Sequence, residues 1–277
     1  MTFVPVADSP ADWAELSRPR ARVGRLVGGT VAIAQAELRK LRHDNLDVLT
    51  RCVQPLLWLF VFGTAMRHVR RLGVVGVDYR AYLVPGVMAQ AALFVAIFFG
   101  LAIIWERDAG QLQRLLATPL PRMAIVLGKA AGAGVRALAQ ALVLLAVVAI
   151  AQIPLHWSIG GVLGALVLLV FGTGAFACLS MTLASLLKTR ERFMGIGQMV
   201  TMPLFFASSA LYPLSIMPLW LRVIARANPL TYEVHGLRDL LLGIGSGEPL
   251  WLDFTVCIGF FALAACIAAR AYPRAIL

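Results

Sequence analysis

The sequence predicts an all-α polytopic membrane protein. It has six transmembrane helices, an amphipathic interfacial helix before the first, and short external helices between spans five and six. Three observations carry this. Hydrophobic residues make up 60% of the 277 and charged residues only 14%, a balance outside that of soluble domains. Uncharged runs near the roughly 20 residues that cross a bilayer recur along the chain, most plainly at 81–105 and 158–187. The charges, net +11, gather at the ends of those runs, where they set orientation. No nucleic-acid partner is expected, because no soluble basic face with interleaved aromatics is present.

Residues 1–23 contain Pro, Asp and Arg without helical periodicity, and lack the apolar core of a secretory signal. A disordered cytoplasmic tail is expected there, leaving 24–277 as one transmembrane domain. Over 24–45, Leu26, Thr30, Ile33, Ala34, Leu38 and Leu41 fall on one helical stripe, with Arg39, Lys40 and Arg42 near its end. That pattern predicts a helix lying in the membrane interface, its basic side toward anionic headgroups. The first span, 52–66, is short, so it is expected to start near Val48 with Arg51 snorkelling to the surface. Pro55 marks a first turn or a kink.

The second span is 81–105. The third, 137–154, is expected to be entered from Ala124 through a basic interfacial turn containing Lys129 and Arg136. The fourth, 158–187, is long enough to tilt, and its glycines permit close helix approach. The fifth runs from Phe193 through Pro203 to about Leu211. Pro213, Pro218 and Pro229 interrupt 212–247, where two short helices, 219–226 and 232–242, are expected outside. The sixth span is 250–269, with Asp253 near an interface. With the N-terminus inside, 18 of the 25 Lys and Arg residues fall on the cytoplasmic side and 7 outside, which predicts both termini in the cytoplasm. Arg67, Arg70 and Arg71 run against that rule.

Between spans two and three, residues 105–129 read WERDAGQLQRLLATPLPRMAIVLGK. Glu106, Arg107 and Asp108 open a helical pattern with Leu112, Leu115 and Leu116 on one face. Pro119 and Pro121 end it. On spacing alone this is equally an ordinary solvated connection. The set Glu106, Gly110, Leu112, Leu115, Thr118, Pro119, Arg122, Gly128 and Lys129 resembles the cytoplasmic coupling segment of type-2 ABC exporter permeases. Downstream, residues 209–214, Pro218, Trp220, residues 228–232 and Arg238 resemble that family's region between its last two spans.

The resemblance implies a permease subunit of an ATP-driven exporter in the cytoplasmic (inner) membrane. It would move an amphiphilic drug, lipid or lipid-linked glycan outward. It further implies a homodimer, or a heterodimer with a similar permease, held in membrane lipid and bound to ABC ATPase (nucleotide-binding) subunits. ATP and Mg would sit on those subunits, and no cofactor in this chain. The implied coupling contacts are Glu106, Arg107, Gly110, Gln113, Leu116, Thr118, Pro119 and Arg122. The implied external gate, within 212–247, comprises Tyr212, Pro213, Asn228, Pro229 and Tyr232. Gln113 departs from the family, which often has an acidic residue there. Reversing the charge of Glu106 is expected to disturb ATPase docking rather than folding.

Catalytic signatures are missing. There is no GxxxxGK[ST] phosphate loop and no GxSxG elbow, so a non-catalytic subunit is expected. His43, His68, His156 and His235 have no metal-ligand spacing. Cys52, Cys178, Cys257 and Cys266 form no CxxC pair and read as small core residues. Glu233 with His235, in the external loop, is the one candidate acid–base pair, and a surface or loop-ordering role is expected for it instead. The alternative function is a secondary transporter or channel acting without an ATPase. Such carriers place ionisable residues at the bilayer midplane, and the cores of spans two, four and five contain none.

Overall fold

Inside a bilayer only a helix or a closed barrel satisfies its own backbone, and the apolar runs of this chain resolve as helices. The computed structural model describes residues 19–43, 45–65, 78–118, 120–187, 189–244 and 248–272. In chain order the helices are α1 (Pro19–His43), α2 (Asn45–Leu57), α3 (Tyr79–Asp108), α4 (Gln111–Leu116) and α5 (Arg122–Ile150), followed by α6 (Ile159–Leu186), α7 (Arg190–Phe206), α8 (Leu219–Ala227), α9 (Pro229–Leu242) and α10 (Leu250–Ala271). Four of them, α3, α5, α6 and α10, are long and apolar enough to cross a membrane. The chain is therefore a multi-pass membrane protein. The tail over 1–18 and the Arg67, Arg70 and Arg71 cluster lie outside the described residues.

Packing centres on α3 against α6, with α5, α9 and α10 closing around them. α3 is the most enclosed element: Ala81, Leu83, Ala89 and Ala96 are fully buried. Asp78 caps it, its side chain accepting from the Arg80 amide at 3.1 Å.

α1 begins at Pro19 rather than Gly24 and packs lengthwise on α5. Gly128 and Gly132, one turn apart on α5, make this possible. A Cβ at Gly128 would strike Ile33, and one at Gly132 would strike Glu37. The expected stripe is packed only in part: Leu26, Thr30, Ile33 and Ala34 are at least half-buried, Leu38 is exposed, and the side chain of Leu41 lies outside the described residues. A second row, Val23, Val27, Val31 and Leu38, stays exposed. Gly132→Leu is expected to push α1 off α5. Overpacking of this kind costs about 1–3 kcal/mol, so the thermal midpoint should fall and α1 should become cleavable by trypsin at its arginines. An unchanged midpoint and cleavage pattern would show that α1 is not seated there.

α2 starts at Asn45 and continues through a wide turn, Trp58–Phe62, and the helical residues Gly63–Ala65. Pro55 lies within it and has no N–H for the carbonyl of Arg51, four residues back. Gln140 of α5 takes that place, its Nε2 donating to the Arg51 carbonyl at 3.0 Å. The proline thus costs α2 no satisfied carbonyl, and it creates a cross-link between two helices.

Three expectations are corrected. α5 is one uninterrupted helix from Arg122, not a span entered through a turn at Lys129 and Arg136, because both charges are paired inward. α7 ends at Phe206, short of Leu211; residues 207–211 form turns in which Ser208, Ser209 and Ala210 are completely buried. α9 is no external surface helix. Leu230, Val234, Leu237 and Leu241 have no exposure, and the helix is inserted among α3, α6 and α10.

Candidate functional site

Glu106, Arg107 and Asp108 finish α3 instead of opening the next helix. Nothing in those three residues breaks a helix; the break comes at Gly110, in the left-handed conformation at φ +69°. α4 then runs for six residues. Leu112 is fully buried in the cluster that contains Ile125 and Val126, and Leu115 packs against that cluster. Gln111, Gln113, Arg114 and Ala117 face outward. Thr118, also exposed, donates from Oγ1 to the Leu115 carbonyl at 2.5 Å and closes the turn. Pro121 precedes α5, and Arg122, its first residue, is exposed. Pro119 lies outside the described residues, as does the side chain of Leu116.

The three charges at the end of α3 each bind a different element. Glu106 receives a short hydrogen bond from the Lys129 ammonium of α5 and a second, at 3.2 Å, from Lys40 of α1. Arg107 Nη1 donates to the Leu187 carbonyl at the end of α6, at 3.3 Å. Asp108 accepts from Arg190 Nε at 3.1 Å and Nη2 at 2.9 Å, at the start of α7. The bonds of Arg190 and Asp108 are half exposed and contribute little alone.

The Glu106 pair is different. The Lys129 side chain is 4% exposed and that of Glu106 15%. Glu37 of α1 completes the cluster, 2.9 Å from Lys40, 3.8 Å from Lys129 and 3.6 Å from Arg136. Arg136 also lies over the Phe99 ring at 4.9 Å. Burial opposes the charge of Lys40, but the hydrogen bond to Glu37 and the carboxylates of Glu37 and Glu106 outweigh it and raise its pKa above the ordinary lysine range.

Of the expected coupling residues, the structure therefore leaves Gln113, Thr118 and Arg122 on the surface and turns Glu106 inward. Glu37, Lys40 and Arg136 had not been singled out. Glu37 was legible: it is the one acidic residue of α1 and continues the spacing of Leu26, Thr30 and Ile33.

The expected gate residues gather where α7 gives way to turns. Asn228 caps α9 through Oδ1, accepting from the Leu230 amide at 3.0 Å, and its Nδ2 donates to the Leu204 carbonyl of α7 at 2.7 Å. Tyr212 donates to the Phe206 carbonyl at 2.7 Å and Tyr232 to that of Arg226 at 2.9 Å. Pro213 precedes a single tight turn, Leu214–Ile216, and Pro229 is the first residue of α9, both positions where a missing N–H costs nothing. Arg238, fully enclosed, donates to the carbonyls of Ser209 and Ala210 and lies 3.8 Å over the Tyr82 ring of α3.

Glu233 and His235 are buried in this packing, not on a loop. Glu233 presses on Gly172 of α6, where a Cβ would overlap its carboxyl group. Neither of its oxygens has a hydrogen-bond partner among the described residues, and burial pushes its pKa well above the carboxylate range. Asp253, expected near an interface, has no exposure. An acid with a raised folded pKa stabilises the fold at low pH and loses that contribution as pH climbs above its unfolded value. Glu233→Gln is therefore expected to gain more stability at pH 8 than at pH 5. Denaturation in detergent at the two pH values measures this, and an equal change at both would refute it.

A bundle of apolar helices, a short exposed helix beside an ion-paired helix end, and a buried segment between the last helices make up this multi-pass membrane protein. Residues 29–242 match the family model described as ABC-2 type transporter, and the chain belongs to that family. It is 32% identical to a putative transport permease, ycf38, of Cyanophora paradoxa, over 73% of this chain and 70% of the relative. It is 32% identical to nodulation protein J of Rhizobium leguminosarum bv. trifolii, over 71% and 74%. To the daunorubicin resistance ABC transporter permease protein DrrB1 of Streptomyces coeruleorubidus it is 24% identical, over 89% and 86%.

Proposed function

We propose that this chain is the transmembrane permease subunit of an ATP-driven exporter of amphiphiles. Separate ABC ATPase subunits bind ATP and Mg, and a second permease, identical or similar, completes the pathway. The carrying observation is the corner at residues 106–108, where the end of α3, next to the short exposed helix α4, is bonded to α1, α5, the end of α6 and the start of α7 at once. A push on α4 and the turn after it, at Gln113, Thr118 and Arg122, with Arg107 and Gly110 behind them, is delivered to the end of α3. Buried ion pairs then carry it sideways, and α3 carries it lengthwise to Tyr82 and Arg238. The turns held by Arg238, with Tyr212, Pro213, Asn228, Pro229 and Tyr232 around them, are the outer gate.

In this reading α2 with its continuation and α7 are two further spans, making six, and both termini are cytoplasmic. α1 lies in the interface with Val23, Val27 and Val31 toward lipid. Of the relatives reported, the name of one alone mentions a compound, daunorubicin.

Two experiments test the reading. Cysteines placed at Gln113 and Arg190 are expected to label only from the cytoplasmic side, and one at Arg226 only from outside; the reverse pattern would remove α4 from any ATPase. The purified chain is expected to hydrolyse no ATP alone and to capture an ABC ATPase from the host membrane. Turnover by a preparation free of ATPase would overturn the assignment. The buried carboxyls of Glu233 and Asp253 favour the second reading, a carrier without an ATPase. Proton-driven uptake by liposomes holding this chain alone would establish it instead.

A further inference from the structure

α9 lies antiparallel along α6, and the register can be read from the glycines between them. A Cβ at Gly161 would strike the Leu240 carbonyl, one at Gly164 the Leu240 side chain, and one at Gly172 the Glu233 carboxyl. Gly236 of α9 in turn leaves room for Leu168. Gly172 stands at the middle of the spanning helix α6, about 20 Å from either end at 1.5 Å per residue. The Glu233 carboxyl is therefore at the bilayer midplane. An ionisable side chain at that depth is a functional group by default.

The packing holds Glu233 without a counter-charge. The residue is 1% exposed, and neither oxygen has a partner among the described residues. α6 carries no acidic or basic residue from Ile159 to Leu186. α10 presents Asp253, whose carboxyl lies beside Gly236, and Cys257 one turn further on. α3 presents Tyr79 and Tyr82, which face Arg238. On α9 itself His235 is buried with Nδ1 unpartnered among the described residues, and Arg238 is bonded to the Ser209 and Ala210 carbonyls. α8 carries Arg222, bonded to the carbonyls of Leu214, Ser215 and Met217, and the exposed Arg226. An acid so placed takes up a proton in preference to staying charged.

The polar groups near Glu233 lead toward one end of the bundle. Asp253, in the first turn of α10, lies one turn of α9 beyond Glu233, with Asp239 and Glu248 acting on it from the helix ends. Toward the ion cluster, α6 buries Ala175, Phe176, Ala177 and Cys178 in a row.

We propose that Glu233 is a proton-binding site of the outer gate: a proton taken from the outer side seats α9 against α6, and its return to that side releases α9. The site rests on the permease reading, in which the turns at 207–211 are the gate. α9 reaches those turns through Arg238, so its release frees them. The proton gates the pathway and is not carried across it. A released Glu233 is an ordinary carboxyl, ionised above about pH 4.3, so each opening gives up one proton. The opening constant then rises about tenfold per pH unit while the seated form stays protonated. Alkaline conditions outside favour the open gate, and acid closes it.

The test is hydrogen exchange on the full chain in maltoside detergent, corrected for the intrinsic effect of pH on exchange, with α6 as internal reference. From pH 7 to pH 8 the opening constant of α9 is expected to rise at least tenfold. Glu233→Gln should remove a factor of about ten from that rise, and Glu233→Asp should keep it. Glu191→Gln, an exposed acid at the start of α7, should leave the rise intact. Infrared absorption reads the proton directly: a protonated carboxyl band is expected at pH 8 and should weaken in Glu233→Gln. A pH-independent opening constant in the wild type would overturn the proposal. So would a rise that Glu233→Gln leaves unchanged or that Glu191→Gln removes equally, or a carboxyl band that survives Glu233→Gln at full strength. ATPase capture is scored on the same preparations. Capture without the pH-dependent opening removes this site alone, and the opening without capture removes the exporter reading alone.

Discussion

Glu106→Lys is expected to prevent accumulation of folded protein, not to leave a well-folded permease that fails to dock. The wild-type carboxylate neutralises Lys129 and Lys40 at the junction of α1, α3 and α5. Removing one partner of a buried pair costs roughly 3–5 kcal/mol, and the new ammonium would face Lys40 and Lys129 with only Glu37 to balance them. Set against a typical total stability of about 5–15 kcal/mol, that is disabling. Glu106→Gln should be milder, and Glu106→Gln with Lys129→Met milder than Lys129→Met alone, since the pair is then removed together. Gln113→Ala and Arg122→Ala, on the exposed face, should instead fold normally and weaken ATPase capture. Detergent-extracted yield and thermal midpoint, read beside pull-down at matched abundance, separate the two behaviours. Normal yield of Glu106→Lys would show that the cluster contributes little to the fold.

Arg238→Met should disconnect the two ends of the molecule while leaving the protein inserted. Methionine fills much of the volume, but the carbonyls of Ser209 and Ala210 lose their donor, at about 1–3 kcal/mol for each buried group left unpaired. The stacking on Tyr82 is lost as well, a further contribution of about 2 kcal/mol for a desolvated cation–π contact. The turns at 207–211 should then open more often, seen as faster hydrogen exchange there with α3 and α6 still protected. On the proposed mechanism the assembled complex would hydrolyse ATP no longer in step with transport. Arg238→Lys should recover part of the protection, because it keeps the charge and loses the paired donors. Unchanged exchange at 207–211 in Arg238→Met would show that the turns hold themselves.

The sequence by itself determined the membrane class, the helical content and the family, because each rests on local properties. Apolar length decides what enters a bilayer, glycine and proline decide where helices stop, and a short pattern around residues 106–129 and 209–238 is enough to resemble a family. α6 and α10 accordingly fall within a few residues of their expected limits. Partner choice is not local, and there the tertiary structure decided. A lysine such as Lys129 reads as an interfacial charge until α1 brings Glu37 and α3 brings Glu106 to it, after which it sits inside one continuous helix. The same reason governs α9: a segment with Glu233, His235 and Arg238 reads as external, since its polar groups are costly to bury. It is buried nonetheless because Ser209, Ala210, Tyr82 and the bare backbone of Gly172 receive it, and those contacts join residues far apart in the chain.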